Sequence, residues 1–155
     1  MKILGFVANE GLRLGVVEGE NVIDLQAVDA RLPVNLADVL AQTNGDLKPL
    51  ADLAKKAPAS ARRPLKGLKY GLPVARPPKS ICLGLNYMEH VKEGFNRDNV
   101  PKFPTIFMRC QTSLVPHEQP LVRPKVSDTL DYEAEMVVVI GKRARHLTMD
   151  NAYSC

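Results

Sequence analysis

Leu130-Asp131-Tyr132-Glu133-Ala134-Glu135-Met136-Val137-Val138-Val139-Ile140 is the stretch on which the reading of the fold turns. Its composition predicts the strongest strand of the chain, closed by Gly141-Lys142. Residues two apart on a strand share a face. One face therefore carries Asp131, Glu133, Glu135, Val137 and Val139, and the other Tyr132, Ala134, Met136, Val138 and Ile140. Both faces turn apolar toward the far end, as in a strand entering a core. Three like charges leading into a core repel one another, and burying them without partners is costly. Two readings follow. The acids are a solvated strand end, or Glu133 and Glu135 hold a hard divalent cation between them. Alternate residues lie about 6.5–7 Å apart along a strand, so their carboxylates can converge on one ion at about 2.1 Å. An all-oxygen donor set favours Mg²⁺ or Mn²⁺, with Ca²⁺ also admitted, over zinc.

Upstream, Ser80 to Leu85 reads as a short apolar strand, followed from Asn86 by a turn or short helix that Asn86 could cap. On such a helix His90 and Glu93 stand three apart and can touch. A glutamate on one imidazole nitrogen raises the basicity of the other and makes a general base near neutral pH. The alternative is an exposed ion pair of little energetic consequence. A loop rich in proline and charge is expected around Arg97 to Pro104, and a strand over Thr105 to Arg109. Thr148 is placed to cap a helix beginning at Met149.

The first third of the chain alternates in strand fashion over Ile3 to Ala8, Arg13 to Glu18 and Val22 to Leu25, with Gly19-Glu20-Asn21 turning the last two into a hairpin. Helices are expected from Leu36 to Gln42, capped by Asn35, and from Leu47 to Lys56, where Leu47, Leu50, Leu53 and Ala54 recur at helical spacing. Pro58, Pro64, Pro73, Pro77 and Pro78 then mark an extended linker, with a domain boundary near residue 70.

Composition narrows the function classes. With 45% hydrophobic and 25% charged residues, the chain is an ordinary globular one, and its 5% aromatics and lack of tryptophan call for an aliphatic core. The formal charge of +4 is scattered over small groups such as Lys55-Lys56, Arg62-Arg63 and Lys142-Arg143-Arg145. That pattern suits solubility rather than a nucleic-acid stripe. The N-terminal apolar run is interrupted by Asn9-Glu10 before a signal core forms, and no stretch reaches the length of a membrane span. Cys82, Cys110 and Cys155 lack metal-ligand spacing and read as reduced thiols, which fits a cytoplasmic protein.

Together, the stretches from Lys79 to Tyr87 with His90 and Glu93, Pro104 to Arg109, Ser113 to Val115, Leu130 to Glu135 and Val139 to Lys142 resemble the fumarylacetoacetate hydrolase family. The hairpin Arg13 to Leu25 is similar to the small N-terminal domain of the bacterial hydrolase and dienedioate isomerase members. The resemblance implies an α+β protein: a small N-terminal α/β domain over 1–70, then the first part of a mixed β-rich roll over 71–155. It implies a metal, Mg²⁺ or Mn²⁺, held by Glu133, Glu135 and a later aspartate that the 155 residues do not reach. His90 and Glu93 match the family's catalytic dyad, and Arg109 a basic position near the substrate. The implied activity is hydrolysis of a C–C bond in a 2-oxo acid or 1,3-diketo acid. Isomerisation or decarboxylation of a related 2-oxo-dienoate and a noncatalytic fragment are the alternatives. The implied assembly is a homodimer, with the missing C-terminal half supplied by residues beyond 155 or by another chain, and the isolated chain inactive.

Overall fold

A computed structural model describes residues 1–93 and 100–155. It is a mixed α/β structure with antiparallel sheets and few helices, in two compact units: residues 1–75 with 115–155, and residues 76–114.

The first unit is built on a five-stranded antiparallel sheet. Strands β1 (Ile3–Ala8), β2 (Gly11–Glu18) and β3 (Asn21–Asp24) form a meander. Glu18 pairs with Asn21, which leaves Gly19-Glu20 as a two-residue hairpin turn. Gly19 sits at φ 58°, the left-handed region such turns demand. Strand β3 runs directly into a single helical turn, α1 (Leu25–Val28), and then come α2 (Leu36–Thr43) and α3 (Lys48–Lys55). The expected cap of α2 is present: the Asn35 side chain accepts from the Ala37 N–H at 3.3 Å. The helices bury Leu36, Val39, Leu40, Leu50 and Ala54 against Leu14, Val16, Ile23 and Leu25. This is the aliphatic core that the composition calls for.

The proline-punctuated stretch is more ordered than a linker. It contributes two further strands, β4 (Arg62–Pro64) and β5 (Tyr70–Gly71), giving the order β4-β3-β2-β1-β5. Both are edge strands, where a proline's missing N–H does not interrupt a ladder on each side. Periodicity cannot register strands of three and two residues.

The sheet register explains a buried charge. Phe6 pairs with Arg13, Gly15 with Asp24, and Val22 with Arg63, so these six residues share one sheet face. A Cβ on Gly15 would run into the Val22 side chain, so glycine lets Val22 and Phe6 lie close to the strand. Asp24 is fully buried there. Its carboxylate accepts from Arg13 Nε at 2.9 Å, from Arg63 Nε at 3.1 Å, and from the Ala27 N–H at 3.1 Å, which caps α1. Beside it, the buried Gln26 accepts from the Leu14 N–H at 2.8 Å and donates to the Pro33 carbonyl at 3.0 Å. Each buried polar group of this corner is thereby satisfied.

Residues 115–155 depart most from expectation. Among the described residues this segment holds no strand, and 130–140 are exposed throughout and form no strand ladder. The composition of a strand is present, but a ladder partner is not. The helix expected after Thr148 is a turn over Thr148–Asn151 followed by a single 3₁₀ turn, Ala152–Ser154. The Thr148 N–H bonds to the Asn151 side chain at 2.7 Å, so Thr148 closes a turn instead of capping a helix. Among the described residues no helix is long and apolar enough to cross a membrane.

Replacing Asp24 by alanine strands two guanidinium groups and removes the α1 cap. Urea unfolding should show a loss of about 3 kcal/mol. A loss below about 1 kcal/mol, the scale of an exposed pair, would remove the cluster from its structural role.

Candidate active site

The second unit places the histidine and its neighbours on a strand–helix–strand arrangement. Strands β6 (Ile81–Gly84) and β7 (Thr105–Met108) pair antiparallel from Ile81↔Met108 to Gly84↔Thr105. The Arg109 N–H extends the ladder to the Ser80 carbonyl at 3.0 Å. Between the strands lies the helix α4 (Met88–Glu93). Its first intrahelical bond runs from the Val91 N–H to the Tyr87 carbonyl at 3.1 Å. Tyr87 therefore occupies the cap position expected of Asn86. The chain reverses from β6 into α4 through Leu85 at φ 55°. A left-handed leucine is uncommon and mildly strained, and nothing in its sequence announces it.

Helix α4 carries both members of the expected dyad. His90 is half-buried and Glu93 exposed, three positions apart and so neighbours on the helix surface. Between them Val91 is the one buried residue among those described from 76 to 114, at 4% exposure. A six-residue helix has little intrinsic stability, so this single contact must hold it. On the same helix Lys92 pairs with Glu89 at 2.8 Å. Arg109 follows β7 with its guanidinium 5.4 Å from the Phe107 ring centre, a cation–π contact at an exposed position. Part of the loop expected around Arg97 to Pro104, residues 97–99, lies outside the described residues.

An open hollow of about 290 Å³ lies where β6 meets α4. Its polar lining comes from Asn86 and Lys102, and its apolar lining includes Leu83, Met88, Val91 and Phe103. The sequence suggested Asn86 only as a cap and offered no reason to single out Lys102. A lone lysine between prolines has no periodic signature, and only the folded chain brings it to the wall.

Glu133 and Glu135 lie in the other unit, on the exposed segment 130–140. As donors, two carboxylates suit a hard divalent cation. Among the described residues, however, no three His, Cys, Asp or Glu side chains form a group able to hold a metal ion. Cys82, Cys110 and Cys155 are free thiols and take no part in such a group.

Residues 79–155 match the family described as "Fumarylacetoacetate (FAA) hydrolase C-terminal". The chain is 30% identical over 155 residues to the fumarylacetoacetate hydrolase domain-containing protein 2 homolog of Dictyostelium discoideum, covering 98% of this chain and 50% of that protein. It is 35% identical over 144 residues to a mitochondrial oxaloacetate tautomerase of Homo sapiens, covering 92% and 43%. A mitochondrial oxaloacetate tautomerase of Rattus norvegicus is 37% identical over 140 residues, covering 88% and 42%. The chain thus spans about half the length of the curated relatives it matches.

If Val91 alone anchors α4, Val91→Ala should raise amide exchange across Met88–Glu93 by about tenfold or more while leaving β1–β3 unchanged. Unchanged exchange in α4 would mean that other contacts hold the helix.

Proposed function

We propose that this chain, which belongs to the fumarylacetoacetate hydrolase family, is part of an enzyme that interconverts the keto and enol forms of a 2-oxo acid with the help of a divalent cation. One observation carries the reading: His90, Glu93, Arg109, Glu133 and Glu135 all fall inside the matched span, residues 79–155. The choice of reaction is supported by the relatives named oxaloacetate tautomerases.

Tautomerisation needs a base that removes a proton at one position and returns it at another. In the enol-to-keto direction the enol oxygen gives up its proton and the neighbouring carbon gains one. His90 can hold that proton in transit, and Glu93, one helical turn along α4, would orient the imidazole and stabilise its charged form. Arg109 would pair with a substrate carboxylate, for which a guanidinium offers a planar fork of donors. Glu133 and Glu135 would contribute two oxygen ligands to Mg²⁺ or Mn²⁺, with Ca²⁺ as a weaker candidate. Bound there, the cation supplies Lewis-acid stabilisation of enolate charge.

A second reading keeps the same residues and lets His90 activate water for attack on a carbonyl, cleaving a C–C bond of an acylpyruvate-like diketo acid. The family description, which names a hydrolase, favours it. In architectural terms, we read residues 1–70 as a small N-terminal α/β domain and 71–155 as the opening part of a β-rich catalytic roll. A homodimer and a cytoplasmic location belong to the same proposal, the latter supported by the three free thiols.

Two measurements test this reading. Calorimetric titration of the chain with Mg²⁺ or Mn²⁺ should give binding that Glu133→Gln and Glu135→Gln each weaken, and binding indifferent to both would sink the metal assignment. In a polypeptide joining this chain to the remainder of the domain, His90→Ala should slow oxaloacetate tautomerisation about 10²–10⁴-fold with metal affinity nearly intact. Retained turnover would remove His90 from its role. Products from oxaloacetate and from an acylpyruvate separate tautomerase from hydrolase.

A further inference from the structure

Helix α4 has two sides with different surroundings. Met88 and Val91, three apart, share the side that walls the open hollow beside β6. At the helical turn of about 100° per residue, His90 and Glu93 lie about 140–160° around the axis from Met88. Among the described residues neither member of the dyad lines the hollow. The hollow therefore lies behind the dyad. Its volume of about 290 Å³ has room for a small molecule. Three of its apolar walls stand open: Leu83 is 45%, Met88 52% and Phe103 81% exposed. Its polar side chains are Asn86 and Lys102. No carboxylate lines it among the described residues, so Lys102 supplies its one charge.

We propose that this hollow binds a small monocarboxylic acid with a short apolar body, at a site separate from the dyad, and that the bound acid holds α4 in place. Apolar walls with a few polar groups at one point are the usual make-up of a small-molecule site. One ammonium and one amide match one carboxylate head, which accepts from both. A second charge on the ligand would meet only apolar side chains, and burying it there is costly. A cationic ligand would meet Lys102 with no carboxylate to offset it. The apolar body covers Leu83, Met88 and Phe103, and this burial carries most of the affinity, since an exposed ion pair contributes little. For a ligand of so few atoms the affinity falls in the millimolar range. The effect on α4 follows from linkage. Val91 is the one buried residue of this unit, so the helix has a single anchor. A ligand that binds only when Met88 and Val91 stand on one wall stabilises the helix that places them there. The inference does not depend on which reaction the dyad performs.

The test uses hexanoate as the probe and hexylamine, with the same apolar body and the opposite charge, as its control. A chelator is present so that metal plays no part. Titration of the full chain with hexanoate, followed by amide resonances, should shift Leu83, Asn86 and Val91 saturably. It should also slow amide exchange across Met88–Glu93 severalfold while leaving β1–β3 unchanged. Hexylamine should do neither. Lys102→Glu should weaken hexanoate binding about tenfold or more and make the hollow responsive to hexylamine instead. Lys102 is exposed, so this variant should fold, and unchanged protection of β1–β3 and of α4 without ligand verifies it. His90→Ala should leave hexanoate binding as it is, because the imidazole is on the other side of the helix. No saturable response to hexanoate overturns the proposal. So does an equal response to hexylamine, or hexanoate binding indifferent to Lys102→Glu. Loss of binding in His90→Ala would place the acid at the dyad and overturn the separate site.

Discussion

A β-strand owns none of its ladder hydrogen bonds, because each N–H and C=O must be met by a neighbouring chain. That constraint separates the parts of this protein. Residues 3–24 fold into a meander because each strand finds its partner one tight turn away. Local pairing of this kind costs little loop entropy. The segment 130–140 has a stronger strand composition than any of those, and no ladder forms on it among the described residues. Apolar sequence alone does not make a strand.

The same constraint governs the chemistry. Two glutamates at alternate positions converge on one cation only when the backbone between them is extended and held. The dyad obeys a different rule: a helix satisfies its own backbone, so α4 can present His90 and Glu93 from within one short segment. The candidate residues of the matched span thus differ in what they need. His90 and Glu93 need a buried valine, whereas Glu133 and Glu135 need a neighbouring strand. In the first unit the equivalent requirement is met by Asp24. Its carboxylate ties β2, β3, β4 and the start of α1 together.

Legibility followed locality. The Gly19-Glu20 turn, the Asn35 cap and the helical spacing of Leu50 and Ala54 are short-range signals, and the structure places each where those residues imply. Signals that depend on distant segments were harder to read. Arg13, Asp24 and Arg63 lie far apart in sequence and look like solubilising charge, yet the sheet register gathers them on one face. The edge strands Arg62–Pro64 and Tyr70–Gly71 are too short to show a period. At the candidate site, His90 and Glu93 could be placed on one helix surface from their spacing alone. The left-handed Leu85, which reverses the chain just before α4, has no residue-level signature. Neither does Lys102 in the hollow.

We infer that the Glu133–Glu135 segment becomes a strand only when another chain segment supplies its ladder. Residue-resolved hydrogen exchange on the chain, at concentrations low enough to keep it monomeric, tests this most directly. Amides of Met136 to Ile140 should exchange at nearly the rate of an unstructured peptide while those of β1–β3 are strongly protected. Strong protection of 136–140 in the monomer would instead show that the strand forms within the chain itself, with no other segment needed.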